Sequence, residues 1–93
     1  MTLLLKDPDA VLDYSVDWGA EYLSGDILAT SEWSVIPDEP GGVSVAGSNF
    51  DDKVATVKAA GGLAGRVYQL INHVVLASGL IDSRSIVLRV EKR

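Results

Sequence analysis

A chain of 93 residues with 47% hydrophobic content and no cysteine can bury one thin core, and it excludes a disulfide framework, a thiolate metal site and a cysteine nucleophile. Its net charge of −5 repels phosphate backbones and argues against nucleic acid as a partner. No apolar run approaches the ~20 residues that span a bilayer, and the leucine run after Met1 lacks a basic flank and signal-sequence length, so no membrane partner is expected.

In chain order, Leu3–Lys6 is a short strand candidate, followed by the acids Asp7 and Asp9. Residues 12–18 alternate: Leu12, Tyr14, Val16 and Trp18 point one way and Asp13, Ser15 and Asp17 the other, the period of a half-buried strand. After a turn at Ser24-Gly25-Asp26, residues 27–36 place Ile27, Ala29, Ser31, Trp33 and Val35 on one face, opposite Thr30, Glu32 and Ser34. Pro37 through Gly42 is a loop, Val43–Ala46 a short strand, and Gly47-Ser48-Asn49 a further turn. Residues 54–59 put Ala55, Val57 and Ala59 inward, and Gly61-Gly62 closes that run.

Residues 66–77 fit two periods, because Val67, Leu70, Ile71, Val74 and Val75 are also helically spaced. The β-branched content and the preceding glycine-rich turn favour a strand, with Tyr68, Leu70, Asn72, Val74 and Leu76 on one face. Ser78-Gly79 then turns the chain into residues 84–90, with Ile86, Leu88 and Val90 inward. Seven short strands at this spacing predict an all-β, antiparallel, two-sheet sandwich of the immunoglobulin or fibronectin type III kind, a single domain over residues 1–93. Tyr68 opening a strand after the Gly61–Gly65 turn has the layout of a tyrosine corner. The expected core is Leu12, Tyr14, Val16, Trp18, Trp33, Val35, Tyr68, Leu70, Ile86 and Leu88. Asn72, amid apolar neighbours, is expected to hydrogen-bond the backbone of a loop and pin it.

No motif carries chemistry. Gly42-Val43-Ser44-Val45-Ala46 has Ala46 where a nucleophile elbow needs glycine, and Gly62-Leu63-Ala64-Gly65 lacks the paired helices of a phosphate-clamping GxxG loop. A calcium loop starting at Asp7 would need glycine where Leu12 stands, and the lone His73 has no local carboxylate. No enzyme activity, cofactor or metal is expected. Trp18, Trp33, Tyr68 and Asn72 are read as structural.

Charge is uneven along the chain. Residues 1–52 hold eleven acids and one base, a net −10, and residues 53–93 hold two acids and seven bases, a net +5. A solvated surface accounts for this simply. The sharper reading is a bipolar subunit whose interface residues are Lys6, Asp7, Asp9 and Asp13 at one end and Arg89, Lys92 and Arg93 at the other. Contact between copies would then run head to tail and close into a ring where the rotation allows.

Several linked motifs resemble one family. They are Lys6-Asp7-Pro8-Asp9, Leu12-Asp13-Tyr14, Asp17-Trp18, Gly25-Asp26, Ala29-Thr30-Ser31 and Trp33, then Gly61-Gly62, Ala64-Gly65, Tyr68, Asn72, Gly79, Asp82, Arg84-Ser85-Ile86 and Arg89-Val90. Together they resemble the small tailed-phage and prophage proteins called phage fiber–tail adaptor proteins. Departures at Ala20–Leu23 and Pro37–Gly42 bear on loop-borne partner specificity rather than fold. The resemblance implies a virion structural or adaptor protein, made in the bacterial cytoplasm, whose partners are tail or fiber proteins, with a homo-oligomer or ring in the particle. The alternative from the residues alone is a cellular adhesion or ligand-binding module. Met1 and the lack of Ser/Thr/Pro linkers favour a free-standing protein.

Overall fold

The computed structural model describes residues 3–19 and 25–92. Seven strands follow one another: β1 (Leu3–Lys6), β2 (Leu12–Asp17), β3 (Leu28–Ile36), β4 (Val43–Phe50), β5 (Val54–Gly61), β6 (Val67–Leu76) and β7 (Ile81–Val90). They form two sheets in a sandwich, a four-stranded one in the order β1-β7-β6-β3 and a three-stranded one in the order β2-β5-β4. The ambiguous segment is strand, and its inward residues Tyr68, Leu70, Asn72, Val74 and Leu76 are all buried.

The sheets are not wholly antiparallel as expected. β1 runs parallel to β7, with Leu3 beside Val87 and Lys6 beside Val90. Neighbouring strands of a parallel pair need a long connection between them. Here the whole chain supplies it, since β1 and β7 are the first and last strands.

Three expectations of register are corrected. The β3–β6 pairing shifts between Leu28 and Thr30. That shift turns Leu28 inward (4% exposed) and leaves Ile27 outside (41%), the reverse of simple alternation. Gly47-Ser48-Asn49 is not a turn but lies in the second half of β4, which absorbs an irregularity between Val45 and Gly47. The turn falls at residues 51–53, where the Asp51 carboxylate accepts from Lys53 N and Val54 N at 2.9 and 2.8 Å. Leu12 is 39% exposed at the start of edge strand β2, so it does not belong to the core. Tyr14, Trp33 and Val35 are half-buried and pack against the core from its margins.

The centre of the sandwich is Trp18, Tyr68, Leu70, Val57 and Leu88, all fully buried. A polar link crosses it. Trp18 Nε1 donates to Asn72 Oδ1 at 2.8 Å, and Asn72 Nδ2 donates to Ser31 Oγ at 2.9 Å and to the Glu32 carbonyl at 3.2 Å. Asn72 therefore ties strand β3 and Trp18 to β6, not a loop as expected. The Arg84 guanidinium lies 5.1 Å from the centre of the Trp18 ring, within cation–π range.

Candidate interaction surface

Strand directions sort the loops into two poles. Lys6, Ile36, Gly61 and Val90 end their strands at one pole, and Asp17, Phe50 and Leu76 end theirs at the other. At the first pole Tyr68 Oη accepts from Leu63 N at 3.2 Å and donates to Glu39 Oε1 at 2.7 Å. The bond back to a residue five positions upstream is the arrangement of a tyrosine corner. It fastens the β5–β6 turn to the β3–β4 loop. Loss of water on burial raises the Tyr68 phenol above its ordinary value, with Glu39 adding in the same direction.

The residues expected to form a charged interface lie mostly at this pole, but their arrangement is different. Lys6 is fully buried. Its ammonium donates to the Gly61 carbonyl at 2.6 Å and to the Asp7 carbonyl at 3.0 Å, so it fastens β1 to the end of β5 and offers nothing to a partner. Desolvation lowers its pKa, against the opposing pull of Asp7 and Asp9. Asp7 Oδ1 accepts from Asp9 N at 2.8 Å and shapes its own turn. Because β1 is parallel to β7, Asp9 meets Lys92 at 3.7 Å. Arg89 is paired with Glu91 at 2.6 Å. Asp13 stands on the outer face of β2 opposite Lys58 on β5. Arg93 lies outside the described residues. A head-to-tail contact needs the acidic and basic ends to face apart, and the parallel pairing folds Asp9 and Lys92 together instead.

The surface that stands out is the outer face of the four-stranded sheet, which the sequence reading did not single out. Register aligns Leu3, Val87, Gln69 and Ile36 in one row across all four strands, and Leu5, Arg89 and Val67 in the next. Leu3 is 57%, Ile36 55%, Val67 48% and Leu5 46% exposed. Towards the other pole, Ile81 pairs with Val75, and Leu80 and Ile81 are 60% and 62% exposed. Between these apolar ends lies a polar row, Ser83, His73 and Glu32, with His73 Nδ1 and Ser83 Oγ 2.9 Å apart. The outer face of the three-stranded sheet is polar by contrast: Asp13, Ser15 and Asp17 on β2, Thr56 and Lys58 on β5, Asn49 on β4. Apolar residues grouped on one face of a small protein mark an interaction surface. The signal in the sequence was the outward Leu3, Leu5, Ile36, Val67, Ile71 and Val87. It is spread over four strands and gathers only when they are laid side by side.

Among the described residues no group of three or more His, Asp or Glu side chains is placed to hold a metal ion. Nor, among the described residues, is any helix long and apolar enough to cross a membrane.

No curated protein matches this chain. Among solved structures, it is similar to the solution structure of the PKD domain from KIAA 1837 protein, with a TM-score of 0.54 and 21% identity over 98% of this chain and 79% of that one. At that identity the likeness concerns the fold alone. A family model, that of the podophage GP4 fiber-tail adaptor protein gp77, matches residues 6–89, which spans all or part of every strand described above. Strands β2 to β6, the tyrosine corner and the buried Lys6 all fall within the matched stretch, and the chain belongs to the podophage fiber-tail adaptor family.

Proposed function

We propose that this protein is a non-enzymatic connector in the tail of a podophage or related prophage, binding tail proteins on one side and fiber proteins on another. The family match over residues 6–89 carries this reading. Made in the host cytoplasm, the chain would reach its place as part of the virion. Its acidic character disfavours nucleic acid, and it needs no cofactor. The single sandwich is of immunoglobulin-like type, with Tyr68 in its corner position. A cellular adhesion module is the weaker reading, because the likeness to a PKD domain extends to fold only.

The test is electron microscopy of particles assembled without this protein. Particles with tails but without fibers are expected, and fibers should return when the protein is supplied. Normally attached fibers in its absence would overturn the reading.

A further inference from the structure

From the outer face of the four-stranded sheet we infer that a second copy of this chain docks there, face to face, about a two-fold axis parallel to the strands. The inference goes beyond the connector role and does not depend on it. Its first support is self-complementarity. A two-fold axis running between β7 and β6 sets β1 over the partner's β3 and keeps each row over itself. Leu3 then covers Ile36 of the second copy and Ile36 covers its Leu3, in one row by register. Ile81 and Val75, paired in register, cover one another likewise. An axis across the strands through the Ser85 row would instead press Ile36 onto Glu32 and bury its carboxylate against an isoleucine.

The second support is charge. The net charge of −5 penalises most self-contacts. The outer positions on this face carry only Arg89, which falls over Val67 of the second copy with its guanidinium paired to Glu91, and Glu32, with His73 beside it. In the parallel arrangement Glu32 lies opposite a row that β1, which runs from Leu3 beside Val87 to Lys6 beside Val90, does not reach. Among the described residues the remaining acids sit in the loops, on the outer face of the other sheet, or at the inward-facing Asp82.

The third support is size. The four strands, four, ten, ten and nine residues long, give a face of about 500 Å² per copy. Two copies together bury about 1,000 Å², the size of a weak or transient interface. Aligned packing at about −30° suits two sheets of the same twist. Contact of this size is that of a weak, reversible dimer rather than an obligate one.

Sedimentation equilibrium of the purified chain from about 5 to 500 µM tests for weak association. The expected result is a monomer–dimer equilibrium little changed by added salt. Ile36→Glu and Ile81→Glu should each weaken it at least about tenfold, while Lys58→Glu on the opposite face leaves it intact. Circular dichroism and melting curves verify that the variants fold. Crosslinking adds a test of orientation, made clean by the absence of cysteine. Within one chain Leu3 and Ile36 stand three strand spacings apart, about 14 Å, beyond the ~7 Å a disulfide bridges. The Leu3→Cys, Ile36→Cys double variant should therefore oxidise to a covalent dimer, faster than an Asp13→Cys, Asn49→Cys control on the other sheet. A chain that stays monomeric throughout, glutamate variants that leave the equilibrium unmoved, or crosslinking no faster than the control would overturn the proposal. The measurement uses the isolated protein, so it stands or falls separately from the particle assay.

Discussion

Asn72 shows what a single buried amide does in a thin core. It accepts from Trp18 and donates to Ser31 and to the Glu32 carbonyl. Asn72→Leu removes all three bonds, among them the acceptor of the buried Trp18 Nε1–H. Urea denaturation followed by tryptophan fluorescence is expected to show a loss of about 1–3 kcal/mol. A double-mutant cycle with Trp18→Phe should return a coupling of about 0.5–3 kcal/mol, since the two side chains share a bond. Lys6 makes a second prediction. Burial disfavours its charged form, so the unfolded chain holds that proton more tightly than the folded one. Stability is therefore reduced below the lowered folded pKa and recovers as pH rises from there to the ordinary lysine value of about 10.4. Tyr14 and Tyr68 oppose this, because their raised pKa values hold stability below about pH 10 and lose it above. Comparing wild type with Lys6→Met in urea at pH 7, 9 and 10 isolates the lysine: the difference should move in favour of wild type as pH rises. A flat difference would remove the titration of Lys6 from the account.

At the scale of elements, alternation and turn residues made most strands legible. The inward face of β6 and the inward Ala55, Val57 and Ala59 of β5 appear in the fold as the period implies. What local pattern could not carry was anything needing a partner strand. The parallel β1–β7 pairing, the shift at Leu28 and the irregularity within β4 are set by neighbours distant in the chain. The charged residues were legible as charges but not as pairs, so Lys6 and Lys92 looked available when each already has a partner within the molecule. The glycines of the β5–β6 turn test how such elements are joined. Gly62 and Gly65 both have positive φ, +116° and +84°. A Cβ on Gly65 meets nothing within 4 Å, whereas one on Gly62 lies 2.7 Å from Val90 Cγ2. Gly65→Ala should cost about 1–2 kcal/mol, the left-handed penalty alone. Gly62→Ala should cost clearly more, because Val90 must also shift at the end of β7. Equal losses by denaturant titration would show that the contact with Val90 yields without cost.

For the whole molecule, 41 × 21 × 17 Å, the pairing of first and last strands decides how it responds to pulling. Tension applied through Leu3 and Val90 draws β1 and β7 in opposite directions along their shared axis. The hydrogen bonds between them are then loaded together, in shear, and must fail as a group. Tension through Val67 and Val90, which sit at the same end of an antiparallel pair, opens β6 from β7 one bond at a time. Single-molecule stretching should therefore record a higher rupture force in the first geometry than in the second. The buried Lys6 strengthens that clamp, since sliding β1 also drags its ammonium off the Gly61 carbonyl. In the connector role proposed above, the protein would be loaded mechanically when a particle strikes a cell, and β1 and β7 sheared side by side would resist that load where a peeling pair yields.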